Sequence, residues 1–418
     1  MSASGQRYNV GGVMLDRPFK IRRLGHFGFN VDRMEECREF YGDLLGFTQS
    51  DKADFSRAPW YPKDLGHGAD GYFMRYGTDH HAMVLFSKQV MDHRSDRKFE
   101  PGVTINQITW QCGSLREIVD AHGYFEEHQV RIQRVGRDMP GSNWHTYVYD
   151  PDGHTTELYY GIEQIGWNQR SKPRDMYYRG FGQKPDLPQM SEAAELDEAG
   201  GKGIDVYSGH LPKRGLTESF DVDGVLLPRP FKITKIGPVR LFVNDVDKAT
   251  AFYTRHLGFT VSEETAYRGA RCVFLRCGAE HHSVALYPRE LRATLGLSEH
   301  TSCLSFGIEV ANYATAGSGR FSQIAWRAVC RLGPARALSR YRLLRFRARP
   351  GRPLHPALLL HRANRLGRAG AEAERTPPSV GRVARRARTP IRHLCRSGIS
   401  GPIRLRRKPW TALNSKRA

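Results

Sequence analysis

Tyr147 to Glu157 reads Tyr-Val-Tyr-Asp-Pro-Asp-Gly-His-Thr-Thr-Glu and sets a strand, a tight turn and a strand-borne carboxylate at fixed spacing. Asp150-Pro151-Asp152-Gly153 is a turn with a mechanism. Proline presets φ at the second position, and glycine accepts the positive φ that closes the reversal. Leu158, Tyr159 and Tyr160 have the bulk of a half-buried sheet. Glu157 is then a carboxylate on or near an apolar face, where it needs a cation or a donor. A solvated strand glutamate is the competing reading of these residues alone, and His154 reads most simply as a turn residue.

Outward from this stretch, the chain repeats. Gly12-Val13-Met14-Leu15-Asp16-Arg17-Pro18-Phe19-Lys20-Ile21 returns as Gly224-Val225-Leu226-Leu227-Pro228-Arg229-Pro230-Phe231-Lys232-Ile233, 212 residues later. The offset holds for Phe40-Tyr41 with Phe252-Tyr253 and for Leu45-Gly46-Phe47 with Leu257-Gly258-Phe259. Asp79-His80-His81 matches Glu280-His281-His282 after an 11-residue shortening. The chain is built as two related halves.

Each half divides again. Residues 22–31 suit a strand, and over 33–45 apolar side chains fall at helical spacing. Strand-like runs follow at 71–76 and 81–87. The order then returns: a strand over 103–112, a helix over 115–127, and strands near 130–135, 144–149 and 155–160. The plan is strand, helix and three strands, twice over, which sets His26 and Gln107 at like positions on the two first strands. Val84 falls opposite Glu157 on the two last strands.

With Gly25-His26, Phe40-Tyr41, Leu45-Gly46-Phe47, His80-His81 and the Asp-Pro-Asp-Gly turn before Glu157, residues 20–167 resemble the vicinal oxygen chelate superfamily. This superfamily includes glyoxalases, bleomycin resistance proteins and extradiol dioxygenases, and the extradiol ring-cleavage enzymes are the nearest pattern. Tyr147, Asp150, Pro151, Gly153 and Glu157 meet the end of the extradiol signature. Its upstream part is not met: Thr146 stands where an aliphatic residue is usual, and Asp138, Met139 and Pro140 stand where a histidine is expected. The resemblance implies an α+β fold in which paired βαβββ modules form a half-barrel sheet around a divalent metal. One pair is complete, and a second is truncated.

The same resemblance implies His26, Gln107 and Glu157 as metal ligands. Two His and one carboxylate are the usual set, leaving coordination positions open. An amide oxygen in place of the second imidazole is harder and binds less strongly, which suits loosely held iron or a preference for Mn(II), Mg(II) or Zn(II); the implied cofactor is a divalent metal, with Fe(II) or Mn(II) favoured. Glyoxalase-type members use Gln but add a Glu where this chain has Val84. By the dioxygenase analogy Tyr147 is the acid-base or orienting phenol, and His81 approaches substrate from the strand closing the first module. His80 is expected on the opposite face. Ordinary cross-strand packing competes for Tyr147, and a polar strand start for the His pair. Trp60, Tyr61, Tyr72 and Trp110 are candidates to line a planar-substrate pocket, with core packing as the alternative.

Later segments carry no second metal set. Pro238 replaces His26, Phe306 falls at or next to the place of Gln107, and Ala285 matches Val84. Residues 168–222 read as a linker between the halves, and 223–315 as a third module with the start of a fourth. Residues 316–418 hold 26 Lys or Arg and 2 Asp or Glu, so the tail supplies all of the net +21. Such a tail ordinarily suggests nucleic acid or anionic membrane. Here its composition has another origin. Shifting the codons of Arg349 to Leu366 by one nucleotide permits, in one-letter code, DPDGHCIQLYYYIEQIGW, against DPDGHTTELYYGIEQIGW from Asp150 to Trp167. The tail therefore reads as an off-frame fourth module, without a fold of its own, that leaves the third module's sheet uncovered.

Composition agrees with this plan. The 39% hydrophobic content includes no 18-residue apolar run, no secretion signal is visible, and the seven Cys lack metal-type spacing, which implies a cytoplasmic, reducing setting. The expected function is extradiol-type oxygenation of a catechol-like aromatic. The alternatives are a lyase or isomerase without O2 chemistry and a non-catalytic binder of small aromatics. The expected partner is a small aromatic or vicinal-dioxygen substrate, with no nucleic acid and no membrane. A homo-oligomer is left open.

Overall fold

The repeated segment is the first to take shape in the computed structural model, which describes residues 6–65, 69–93, 103–138, 144–213, 215–297, 302–311, 341–343, 357–358 and 360–362. β1 (Tyr8–Val10) and β2 (Val13–Leu15) form a hairpin whose Gly11 and Gly12 take φ of 60° and 89°. The first module follows as β3 (Arg23–Val31), α1 (Met34–Arg38) running into a π-helical turn at Glu39–Leu44, β4 (Thr48–Asp54), β5 (Asp70–Arg75) and β6 (Met83–Ser87), closed by α2 (Lys88–Asp92). The second is β7 (Ile105–Gln111), α3 (Leu115–Glu127), β8 (Ile132–Arg137), β9 (Trp144–Tyr149) and β10 (Thr155–Tyr160). Ser114 caps α3 by accepting from Glu117 N at 3.2 Å, and the helix buries Ile118, Ala121, Tyr124 and Phe125.

The two modules share one eight-stranded sheet in the order β4-β5-β6-β3-β7-β10-β9-β8. β3 and β7 pair antiparallel at its centre, each flanked by the last strand of its own module in parallel. Residues related by the repeat therefore meet on one face near the middle. The Asp-Pro-Asp-Gly turn is held from within, because Asp150 Oδ1 accepts from Asp152 N at 3.0 Å and His154 N at 2.8 Å, while Gly153 takes φ of 81°. His154 is fully buried, its Nδ1 2.9 Å from Asp150 Oδ2.

Beyond β10 the chain stays close to the sheet. α4 (Glu192–Gly201) is tied to β8 by a buried two-point ion pair from Arg137 to Glu195 at 2.5 and 2.6 Å. Arg137 also exchanges backbone hydrogen bonds of 2.7 and 2.6 Å with Phe181, which covers the edge of β8. The 168–222 segment thus contains a helix and shields an edge.

The second half runs through β11 (Phe220–Val222), β12 (Val225–Leu227), β13 (Ile233–Val243), α5 (Val246–Ala251) with a π-helical turn at Phe252–His256, β14 (Thr260–Tyr267), β15 (Ala270–Arg276), β16 (Val284–Pro288), α6 (Leu291–Thr294) and β17 (Cys303–Val310). Short strands β18 (Tyr341–Leu343), β19 (Ala357–Leu358) and β20 (Leu360–Arg362) are the described part of the basic tail; the rest of that expectation lies outside the described residues. β19 extends the sheet β14-β15-β16-β13-β17-β19 by pairing antiparallel with β17, whereas β10 joins β7 in parallel.

One face of the third module is not left bare. Phe306 stacks on Phe27 at 4.9 Å and Phe259 meets Trp110 edge-on at 4.8 Å, so the two halves share a core. The repeated motifs clasp each other reciprocally. Arg17 donates to the Gly258 carbonyl at 3.5 Å, and Arg229 to the Gly42 carbonyl at 2.6 Å. Gly258 takes φ of 75°, in the left-handed region that favours glycine, and the Arg17 guanidinium packs where a Cβ would stand.

The His154–Asp150 pair gives stability a sign with pH. Burial disfavours the His154 cation, but Asp150 outweighs it and raises the pKa above 6.5. The contribution is complete below the unfolded value and fades as pH rises through the higher folded one. Thermal melts of wild type and His154→Gln should therefore differ more at pH 6 than at pH 9; an equal or larger gap at pH 9 contradicts the assignment.

Candidate metal centre

Pairing register brings the site together before side chains are considered. Glu157 on β10 lies directly opposite Tyr147 on β9 and beside Thr109 on β7, and Thr109 faces His26 across the central pair. Gln107 is two residues before Thr109, on the same face of β7, opposite Gly28. A Cβ at Gly28 would come within 2.9 Å of the Asn106 Cβ and 3.1 Å of the Gln107 Cγ, so the glycine leaves Gln107 its space. Gly25 does the same for Tyr159, whose ring occupies the place of a Cβ.

Three donors converge on one carboxylate oxygen. Glu157 Oε2 lies 3.2 Å from His26 Nε2, 3.2 Å from the Gln107 amide nitrogen and 2.7 Å from Thr109 Oγ1, which donates to it. His145 Nδ1 lies 3.9 Å from Glu157 Oε1. Glu157 and His26 are fully buried, and Gln107 is 5% exposed. Burial pushes the Glu157 carboxyl up, yet His26, His145 and Thr109 together hold it at about 2, so it is ionised at neutral pH.

His81 and Tyr147 flank this centre. The His81 ring lies 4.3 Å from that of His26, and burial with His26 and His80 pushes its pKa well below 6.5, keeping it neutral. His80 and His81 sit in the bend before β6 rather than on the strand, so strand alternation does not separate them. The expected opposite placement of His80 is corrected: its Nδ1 is 3.0 Å from His81 Nδ1, and its Nε2 faces Asp51 at 3.6 Å and Glu163 at 4.0 Å. Tyr147 is buried, with its ring 4.7 Å from His145 and the Arg134 guanidinium 4.6 Å from its ring centre. Burial works against the Arg134 cation, but Asp138 and Tyr147 outweigh it and raise its pKa.

Val84 on β6 pairs with Gly28 and belongs to an apolar cluster. Tyr61, Phe86, Val90 and Met91 complete that cluster, with Trp60 and Phe73 packed against it. Tyr72 and Trp110 are corrected from pocket candidates to core: Tyr72 hydrogen-bonds Glu35 on the helix, and Trp110 packs on Phe259. Thr109 and His145 were not anticipated. Two-residue periodicity from Gln107 and from Tyr147 was the signal that could have found them.

The donor set fits a divalent ion. Two spacings of 3.2 Å around Glu157 Oε2 are close to the roughly 3 Å edge of a coordination shell with bonds of about 2.1 Å. The Gln107 amide presents its oxygen instead of its nitrogen by a simple flip. Among the described residues no three His, Cys, Asp or Glu gather as a metal cluster, because the third donor here is an amide.

The Glyoxalase/Bleomycin resistance protein/Dioxygenase superfamily model matches residues 23–158 and 235–316, more than half of the chain. The chain belongs to this superfamily. A catechol-2,3-dioxygenase of Bacillus subtilis (strain 168) is 31% identical over 117 residues, 23% of this chain and 39% of that protein. Metapyrocatechase 2 of Cupriavidus necator is 25% identical over 196 residues, 44% of this chain and 51% of that protein. The chain thus spans about half or less of these curated relatives. A solved catechol 2,3-dioxygenase is 17% identical with a TM-score of 0.42, covering 74% of this chain and 77% of that one. Among the described residues no helix is long and apolar enough to cross a membrane.

Thr109 holds the buried Glu157 carboxylate by the shortest of its hydrogen bonds. Thr109→Val removes the 2.7 Å hydrogen bond while keeping the shape. Thermal unfolding should show a loss of about 1–3 kcal/mol, the cost of leaving a buried acceptor short of a donor; an unchanged melting temperature contradicts the described contact.

Proposed function

We propose that the first half is a metal-dependent enzyme of the extradiol type, oxygenating a catechol-like aromatic. The observation that carries this reading is the approach of His26 and Gln107 to Glu157 Oε2, both at 3.2 Å, where the first strands of two modules meet. His26, Gln107 and Glu157 are assigned as ligands of a divalent metal, Fe(II) or Mn(II). When bound, such an ion supplies Lewis-acid stabilisation of adjacent substrate oxygens and, if redox-active, oxygen chemistry. The names of the curated relatives support an aromatic diol as substrate.

The remaining roles belong to the chain's own side chains. The apolar wall of Tyr61, Val84 and Phe73 suits one face of a planar ring, and the polar wall of Tyr147, His145 and Glu157 suits its oxygens. Neutral His81 is assigned as acceptor of a substrate hydroxyl proton. Tyr147, beside the Arg134 cation, is assigned to orient the substrate and to hold or return a proton at its phenol oxygen.

Gln107 itself favours a second reading. An amide ligand suits a lyase or isomerase that stabilises an enediolate without O2. Metal analysis combined with oxygen uptake on catechols separates the two. Bound iron or manganese with uptake supports the extradiol reading; bound metal without uptake on any catechol rejects it in favour of the second. Tyr147→Phe should lower kcat by about 10²-fold or more with metal content unchanged; wild-type kcat in that variant removes Tyr147 from the mechanism.

A further inference from the structure

Both halves carry the same series of groups, a strand carboxylate followed by two adjacent histidines. Asp51 on β4 and Glu263 on β14 are separated by the 212-residue offset of the repeat, and each directly follows a register shift, between Gln49 and Asp51 and between Val261 and Glu263. Such a shift re-aims the side chain that follows it. Asp51 then pairs with Phe73 and Glu263 with Phe274. The Phe73 ring centre lies 5.5 and 5.2 Å from those of His80 and His81, and the Phe274 ring centre 5.7 and 4.9 Å from those of His281 and His282. The two Nδ1 atoms of each histidine pair are 3.0 Å apart in the first half and 2.9 Å in the second.

In the second half the hydrogens have one consistent arrangement. Arg240 can only donate, so His282 accepts at Nε2, 3.4 Å away, and carries its hydrogen on Nδ1. His281 accepts at Nδ1 from His282 and donates from Nε2 to Glu263 at 2.9 Å. Burial, with Arg240 and His281, pushes the His282 pKa down to about 3, which keeps that ring neutral.

In the first half the carboxylate end is alike and the other end is open. His80 is buried, its Nε2 has no hydrogen-bond partner, and two carboxylates face that nitrogen, Asp51 at 3.6 Å and Glu163 at 4.0 Å. Ser171 and Tyr177 of the 168–222 segment donate to the same Asp51 oxygen, each at 3.4 Å. Burial pushes the Asp51 carboxyl up, but His80, the Lys52 N–H and His210 outweigh it, so the nearer carboxylate is ionised and only accepts. His81 Nε2 has no hydrogen-bond partner among the described residues. Gly28 pairs with Val84 and Gln107 where Arg240 pairs with Ala285 and Ser305, so no arginine meets His81 from that position.

We propose that Asp51 and His80 are positioning residues for His81. Asp51 draws the His80 hydrogen to Nε2, His80 Nδ1 accepts from His81 Nδ1, and His81 Nε2 keeps a free lone pair. The hydrogen bond made by one ring nitrogen sets the state of the other. The consequence for chemistry rests on the extradiol reading: this lone pair is the one that accepts the substrate hydroxyl proton. In the second half the same lone pair is occupied by Arg240, which closes that copy of the relay.

The full-length chain, its histidines labelled at the ring nitrogens and Zn(II) supplied as a diamagnetic ion, should be followed by NMR at slightly alkaline pH without substrate. The His81 signals are assigned by their loss in His81→Asn. His81 should carry its hydrogen on Nδ1. His80→Asn, whose amide oxygen can take the place of Nδ1, should preserve that form, and His80→Leu should move the hydrogen to Nε2. In oxygen uptake on a catechol, His80→Leu should lower kcat about tenfold or more with KM little changed, and His80→Asn should recover most of the loss. A wild-type His81 with its hydrogen on Nε2, the arrangement in which Glu163, its pKa raised by burial, donates to His80, overturns the proposal. So does a His81 form indifferent to His80→Leu. The wild-type spectrum decides even where a variant fails to fold. Because it is recorded without substrate, a chain that oxygenates no catechol loses the extradiol reading, while the relay stands or falls on the nitrogen shifts.

Discussion

Glu157 is an ionised carboxylate with no exposure to water, and the central architecture can be read as what makes that tolerable. Withdrawing such a charge from solvent is costly unless donors and positive charge surround it. Thr109 and Gln107 come from the parallel neighbour β7, and His26 comes from β3 across the central antiparallel pair. No single module can provide them all. The pairing of β3 with β7 is therefore both the joint of the fold and the condition for the site.

The halves are joined by the same economy of repetition. Each copy of the Arg-Pro-Phe-Lys-Ile motif sends its arginine to a carbonyl near the Leu-Gly-Phe turn region of the other half. The Asp-Pro-Asp-Gly turn adds a second joint: Tyr253 donates to Asp150 at 3.2 Å, and Asp152 accepts from Asn244 N at 2.6 Å. The residues by which the repeat is recognised are thus largely its interface. The concave faces are free to diverge, and they have: Gly28 makes room for Gln107, whereas Arg240 fills the like position with a charge.

Much of this was legible in the sequence where one physical signal dominated. Amphipathic spacing places α3 at 115–127, and the proline-glycine turn places β9 and β10 at 144–149 and 155–160. His26, Gln107 and Glu157 come together from strand order and the repeat. β4 was invisible because an edge strand of Thr, Gln, Ser, Asp and Lys has no apolar alternation. His80 was misplaced because alternation was applied to a bend. Tyr72 and Trp110 belong to the core, since aromatic content alone does not say which face a ring takes.

An imidazole, an amide and a carboxylate from three strands are set to grip one ion. The most direct measurement is anomalous X-ray scattering from crystals of the protein grown with Mn(II). A peak is expected at bonding distance, about 2.1–2.3 Å, from His26 Nε2, Glu157 Oε2 and the Gln107 amide oxygen. A metal peak elsewhere in the molecule, or none between these three side chains at saturating Mn(II), contradicts it.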